Sequence, residues 1–220
     1  MAEQTVSDYE PGVLRVFQSK DETKSFYNKI AHVYDLLAEH SEQPMRENGL
    51  EMLAVKPGET VLDLCTGTGE LALTFASQGA TVIGADLARG MLKVASTKGK
   101  ALDSTWFQME ATNLAFADKA FDVSVLSLAL HHMPENVQVN VLGELRRVTR
   151  RQVVIIEPDV PVKPNWVPIY AFVASIIDES EYMHEWVIQD LPRTCRTAEL
   201  QVEGVHESTF GLHRILLCKP

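Results

Sequence analysis

The chain has 220 residues, 45% of them hydrophobic, which suits one domain with a substantial core, with or without a small lid, rather than two full domains. A formal net charge of -10 works against tracking a phosphate backbone, so no nucleic-acid partner is expected. The cysteines Cys65, Cys195 and Cys218 are too few and too scattered for a disulfide framework or a metal site, and no signal peptide or membrane-spanning run is read, so a cytoplasmic protein with reduced thiols is expected.

In chain order, a mixed, charged start turns at Pro11-Gly12, and from Thr23 the residues Phe26, Ile30, Val33 and Leu37 recur at helical spacing to about His40. A second helix near Met45 to Leu53 completes an N-terminal helical cap over residues 23–54. Val61 to Leu64 read as the first strand, followed by a helix from Gly69 to Ser77, a strand from Thr81 to Ala85 and a helix from Ala88 to Lys98. Strands at Thr105–Met109 and Phe121–Leu128, a helix from Pro134 to Val148 and a strand at Val153–Ile156 continue the alternation. Such alternation indicates an α/β fold with a mostly parallel sheet covered on both faces. The run Arg146-Arg147 with Arg150-Arg151 reads as a solvated helix end, where cations suit the helix dipole. Residues 158–191 lose the pattern, with four prolines from Pro158 to Pro168 leading into an apolar-aromatic segment, and read as an inserted substrate lid. Thr197 to Leu200 read as a remnant helix, ahead of an antiparallel pair of strands near Gln201–Ser208 and Leu212–Cys218.

The segment Thr60-Val-Leu-Asp-Leu-Cys-Thr-Gly-Thr-Gly69 reads as a buried strand breaking into a glycine turn that opens a helix, a place where backbone N–H groups meet a nucleotide. Asp86 ends the second strand, 17 residues past Gly69, where a carboxylate can take two ribose hydroxyls. Gly67-Thr-Gly69-Glu-Leu-Ala72 also satisfies the permissive dinucleotide pattern, which keeps an NAD-dependent or flavin oxidoreductase as a rival. Asp63 beside the turn favours a cofactor carrying an amino group, as S-adenosylmethionine does, over a bare pyrophosphate.

The order of motifs is similar to that of the class I S-adenosylmethionine-dependent methyltransferases, over about Phe26 to Asp159. Val61 to Gly69 resembles the first motif, particularly as written in the branch that C-methylates ubiquinone and menaquinone precursors. Val82 to Leu87 with Gly90-Met91-Leu92, Glu110 to Phe116, and Phe121 to His132 resemble the later ones, and Phe26 to Asp35 resembles the cap helix of that branch. The resemblance implies a Rossmann-like methyltransferase sheet, with Asp63, Cys65, Gly67, Thr68 and Gly69 around the methionine part of the cofactor. Asp86 would then bind its ribose, Leu87 would cover one adenine face, and Glu110 with Ala111 would form the adenine side. Tyr27, Tyr34 and Leu128 would border the methyl-donor end. S-adenosyl-L-homocysteine would be the product form of the cofactor. Cys65 stands where the family often has glycine, and no basic neighbour in sequence lowers its thiol pKa, so it is expected to pack rather than react.

Methyl transfer needs orientation of donor and acceptor more than a metal or a covalent intermediate, and no metal site is expected. An acidic acceptor needs a base, for which His131 is the first candidate and His132 the second, both just past the fourth strand. Glu157 and Asp159 at the end of the fifth strand are candidates for holding an acceptor hydroxyl or cation. The leading reading is methylation of a hydrophobic small molecule, with a quinone precursor first. A phospholipid or small-amine N-methyltransferase, the oxidoreductase and a non-catalytic cofactor-binding regulator stay open. A membrane-borne acceptor would imply transient contact with a membrane surface, and homodimerisation is left open.

Overall fold

A computed structural model describes residues 20–34, 55–159, 186, 189–207 and 213–220. The expected second cap helix, Met45 to Leu53, and nearly all of the expected lid over 158–191 lie outside these residues. The alternation read from the sequence is present: β1 (Thr60–Leu64), α2 (Glu70–Ser77), β2 (Thr81–Asp86), α3 (Arg89–Lys98), β3 (Ser104–Gln108), β4 (Phe121–Ser127), α4 (Glu135–Val148) and β5 (Thr149–Pro158) follow a first helix, α1 (Lys20–Ile30). α5 (Leu191–Thr197), β6 (Gln201–Glu207) and β7 (His213–Lys219) complete the described elements.

The strands form one seven-stranded sheet in the order β3-β2-β1-β4-β5-β7-β6. β1 pairs in parallel with both β2 and β4, β4 with β5, while β7 runs antiparallel to β5 and to β6. The chain direction across the sheet reverses at β1, so the tips of β1 and β4 sit side by side and open the crevice where such sheets bind ligands. Alternation along the strands divides the core. Val61, Val82, Val154 and Ile156 pack against Phe75 of α2, while Leu62, Leu126, Val153 and Ile155 pack against Leu142 and Leu145 of α4 and Cys195 of α5. Each of these side chains is essentially excluded from water, worth about 1.5–3 kcal/mol apiece relative to exposure.

Three expectations change. α1 starts at Lys20, with Asp21 and Glu22 in its first turn where anions suit the helix dipole; a turn follows over 31–33, Tyr34 is helical again, and the rest of the expected first helix, 35–40, lies outside the described residues. The helix before β6 is Leu191–Thr197 rather than Thr197 to Leu200: Asp190 caps it by accepting from the Arg193 N–H, Pro192 suits its first turn, and Glu199 at φ 61° ends it. The arginine run is not a bare solvated end. β5 begins at Thr149 with no intervening loop, because the Thr149 hydroxyl bridges Leu145 O and Ser124 Oγ, so Arg150 and Arg151 are strand residues pairing with Asp122 and Glu59. Arg147 reaches Glu144, Asp118 and the carbonyls of Leu114 and Phe116, tying the β3–β4 loop to α4.

Candidate active site

β1 is followed by a residue that is not glycine yet takes the left-handed conformation, Cys65 at φ 59°, and the neighbouring β4 is followed by another, Leu128 at φ 51°. Such backbone costs about 1–2 kcal/mol per residue and is kept where surrounding structure over-determines it. Both residues line a cleft of about 680 Å³ at the strand tips, roofed by α1. The Cys65 thiol is pushed well up by burial, then by Asp86 and Asp63 beside it, so it stays protonated there.

The two glycines of the turn serve different ends. Gly67, at φ 54°, has nothing within 4 Å of where a Cβ would stand, and its open face belongs to the cleft wall. Gly69, at φ 81°, faces away from the cleft, and a Cβ there would meet the Trp106 ring at 2.6 Å and the Ala95 Cβ at 2.9 Å. Asp86 braces the same turn: its Oδ2 accepts from Gly67 N at 2.9 Å and its Oδ1 from Ala88 N at 2.7 Å. A carboxylate offers about four acceptor positions, so Asp86, which lines the cleft, keeps capacity beyond these amides for ligand hydroxyls. Burial raises the Asp86 pKa despite these amide bonds. Asp63 is 1% exposed and outside the lining, with its Oδ2 taking the Thr66 hydroxyl at 2.6 Å beneath the turn.

At the far side of the cleft Glu110, Ala111 and Leu87 line the wall, and Lys20 of α1 holds the Glu110 carboxylate at 2.8 Å. That hydrogen bond, helped by the Thr112 hydroxyl, keeps the Glu110 pKa below the usual carboxylate range. At the β4 end the Tyr27 hydroxyl lies 3.0 Å from His132 Nε2, with the Tyr34 ring 6.1 Å from the Tyr27 ring. Met133, Pro134 and Val137 give this end an apolar floor. α1 can lie this close because Gly90 has no Cβ, which would press on the Asn28 carbonyl at 2.9 Å, and because Asn28 Oδ1 accepts from the Gly90 N–H.

Of the residues singled out in the sequence, the cleft gathers Tyr27, Tyr34, Cys65, Gly67, Thr68, Asp86, Leu87, Glu110, Ala111 and Leu128. It does not gather Asp63, Gly69, His131 or Glu157. The favoured base, His131, is instead 4% exposed with its Nδ1 at 2.7 Å from Glu157 Oε2, and Glu157 is wholly buried and accepts from the amides of Ala129 and Leu130. The second-choice histidine, His132, is the one on the cleft. Lys20 and Lys24, which line the cleft, and Asn28, which seats α1 on Gly90, were missed; their signal is the polar stripe of α1 at spacings of four, which reads equally well as a solvated face.

A family model described as "Methyltransferase domain" matches residues 61–152. A demethylmenaquinone methyltransferase from Paenarthrobacter aurescens (strain TC1) is 34% identical over 156 residues, covering 68% of this chain and 60% of that protein. A 2-phytyl-1,4-naphtoquinone methyltransferase from Synechococcus elongatus (strain ATCC 33912 / PCC 7942 / FACHB-805) is 32% identical over 142 residues, covering 59% of this chain and 60% of that protein. The chain thus spans about 60% of the length of these relatives. Among solved structures, magnesium protoporphyrin IX methyltransferase (ChlM) from Synechocystis PCC 6803 with bound SAM superposes with a TM-score of 0.69 at 15% identity, covering 94% of this chain and 100% of that one.

Proposed function

We propose that this chain, which has the class I methyltransferase fold and is related to the demethylmenaquinone methyltransferases at moderate identity, transfers the methyl group of S-adenosylmethionine to a hydrophobic small molecule. A reduced prenylated quinone precursor is the acceptor we favour. One observation carries the reading: a single cleft joins a nucleotide-shaped wall, with Gly67 and Asp86, to an apolar end bearing the Tyr27–His132 pair.

The residues fit the cofactor. Asp86 has acceptor capacity left for ribose hydroxyls, Gly67 lets the backbone come close, and Leu87 and Ala111 flank the adenine. Thr68 and Cys65 bound the amino-acid tail, while Asp63 and Gly69 act from beneath the turn by holding its shape. When bound, S-adenosylmethionine supplies an electrophilic methyl carbon on a sulfonium. In the tautomer with hydrogen on Nδ1, His132 presents a bare Nε2 to the Tyr27 hydroxyl, and this pair takes the acceptor's hydroxyl proton. With the cofactor bound, the ring carbon beside that oxygen would receive the methyl group, and the Tyr27–His132 pair would return the hydroxyl proton to the oxygen as the ring C–H proton leaves, so that one net proton is released for each methyl transferred. Leu128 and the apolar floor exclude water from that face.

The test pairs binding with turnover. Calorimetry should show S-adenosylhomocysteine binding and no NAD binding, and labelled methyl should pass from S-adenosylmethionine to the reduced form of a 2-prenyl-1,4-naphthoquinone. His132→Ala should keep binding within about twofold and lose about 100-fold or more in kcat. Absence of labelled product with this probe and with amine and phospholipid pools would remove the proposed activity.

A further inference from the structure

The turn that follows β4 has its backbone polar groups held by side chains of β5 and α4. Glu157 Oε1 accepts from Ala129 N at 2.9 Å and from Leu130 N at 2.7 Å, and Oε2 takes His131 Nδ1 at 2.7 Å. From the other side the buried Gln138 donates Nε2 to Leu130 O at 3.1 Å and to Met133 O at 2.8 Å, and is itself steadied by Gln189 Nε2 on its Oε1 at 2.6 Å. The turn between these two clamps is a single 3₁₀ turn, Leu130–His132, entered through the left-handed Leu128. One residue past the clamped His131 is His132, whose ring lies 4.0 Å from that of His131 and which meets Tyr27 in the cleft.

We infer that Glu157 is the positioning residue for the methyl-accepting end: without touching cofactor or acceptor, it fixes the turn and the His131 tautomer, and so sets how His132 meets Tyr27. The inference rests on the reading of the cleft as a methyl-transfer site. A fully buried carboxylate is costly unless its acceptor positions are filled, and three converging donors fill them. The arrangement also dictates hydrogens. An acceptor-only carboxylate requires hydrogen on His131 Nδ1, whereas a glutamine amide in its place would turn a donor towards that nitrogen and reverse the tautomer. Among the described residues, the titratable and charged groups around the turn are Tyr27 of α1, Tyr34 beyond its end, Cys65 at the β1 tip, His131 itself, Glu157 of β5, Asp159 just past that strand, and His213 and Arg214 of β7. Glu157 is the one among these bonded directly to the turn's amides. A glutamine in its place would remove a negative charge from beside the histidine pair, which is what the pH profile of that variant reads.

Steady-state kinetics with the reduced 2-prenyl-1,4-naphthoquinone as acceptor separates charge from reach. Glu157→Gln should lower kcat about 10- to 100-fold and move the acid limb of its pH profile to lower pH. Glu157→Asp keeps the charge but is one methylene short, so kcat should fall while the limb stays. In both, the KM for S-adenosylmethionine and the Kd for S-adenosylhomocysteine should stay within about twofold of the native protein. A purely structural role would instead lower cofactor affinity and melting temperature together without moving the limb. On the unaltered protein, long-range proton–nitrogen spectra of the imidazoles should report His131 with hydrogen on Nδ1. Native kcat and limb in Glu157→Gln, or an Nε2–H tautomer for His131, overturns the inference. If the native protein does not methylate the probe, the acceptor reading falls, and the His131 tautomer still decides for or against Glu157.

Discussion

Gly67→Ala and Gly69→Ala separate what the glycine turn does for folding from what it does for the ligand. At Gly69 the added methyl would stand 2.6 Å from Trp106 Cη2 and 2.9 Å from Ala95 Cβ, on a backbone at φ 81°. The left-handed conformation costs an L-residue about 1–2 kcal/mol and the forced overlap about 1–3 kcal/mol more, together about 2–5 kcal/mol. For a protein of this size that is a fall in Tm of about 4–20 °C. At Gly67, φ 54° carries the same conformational cost, but no atom lies within 4 Å, so stability should drop by about 1–2 kcal/mol and Tm by about 2–8 °C. Its methyl projects where the cofactor has to approach, and S-adenosylhomocysteine affinity should weaken about tenfold or more. Thermal unfolding of the ligand-free variants and calorimetric titration at a temperature where both are folded give the two readouts. The reasoning is refuted if Gly67→Ala is the less stable of the two, or if Gly69→Ala loses cofactor affinity with an unchanged Tm.

Since burial raises the Asp86 pKa, and ribose hydroxyls need the ionised carboxylate, S-adenosylhomocysteine affinity should decline as pH is lowered through a range above that of an ordinary aspartate, with protons released on binding near that pH; an affinity flat down to pH 4 by calorimetry would contradict this assignment. Arg147→Ala removes the ties to Leu114 O, Phe116 O and Glu144, and should cost about 1–3 kcal/mol in urea unfolding while weakening cofactor binding through the Glu110–Ala111 loop; equal affinity and stability would show that the loop holds its own shape. Cys65, with its thiol pushed up by burial and by Asp86 and Asp63, should alkylate with iodoacetamide far more slowly than a free cysteine at pH 8, as mass spectrometry of the labelled peptide would report.

The sheet was legible because its strands are short aliphatic runs between turn residues, and because the glycine turn and Asp86 lie close together in sequence, where local rules operate. The choice between His131 and His132 was not legible. Both follow β4 immediately, and which one faces the cleft depends on Glu157 and Gln138, which reach the turn from β5 and α4. The arginine run misled for a related reason: its partners, Glu59, Leu114, Phe116, Asp118 and Asp122, are distant in sequence, and a cation at a helix end gives no sign of whether it will meet them. The pairing of Lys20 with Glu110, which links α1 to the far wall of the cleft, joins residues 90 positions apart. The helix at Leu191 could have been read, since Asp190-Leu-Pro192 is a cap followed by a helix-compatible proline.

The place of β7 between β5 and β6 imposes an order of assembly. Val153, Val154, Ile155 and Ile156 take their second partner from Cys218, Leu217, Leu216 and Ile215, so until the ribosome has delivered those residues β5 stands as an open edge of consecutive aliphatic side chains. Edges of that kind template pairing between molecules. A chain truncated before His213 is therefore expected to associate through that edge, which gel filtration would report, rather than to persist as a smaller monomeric fold.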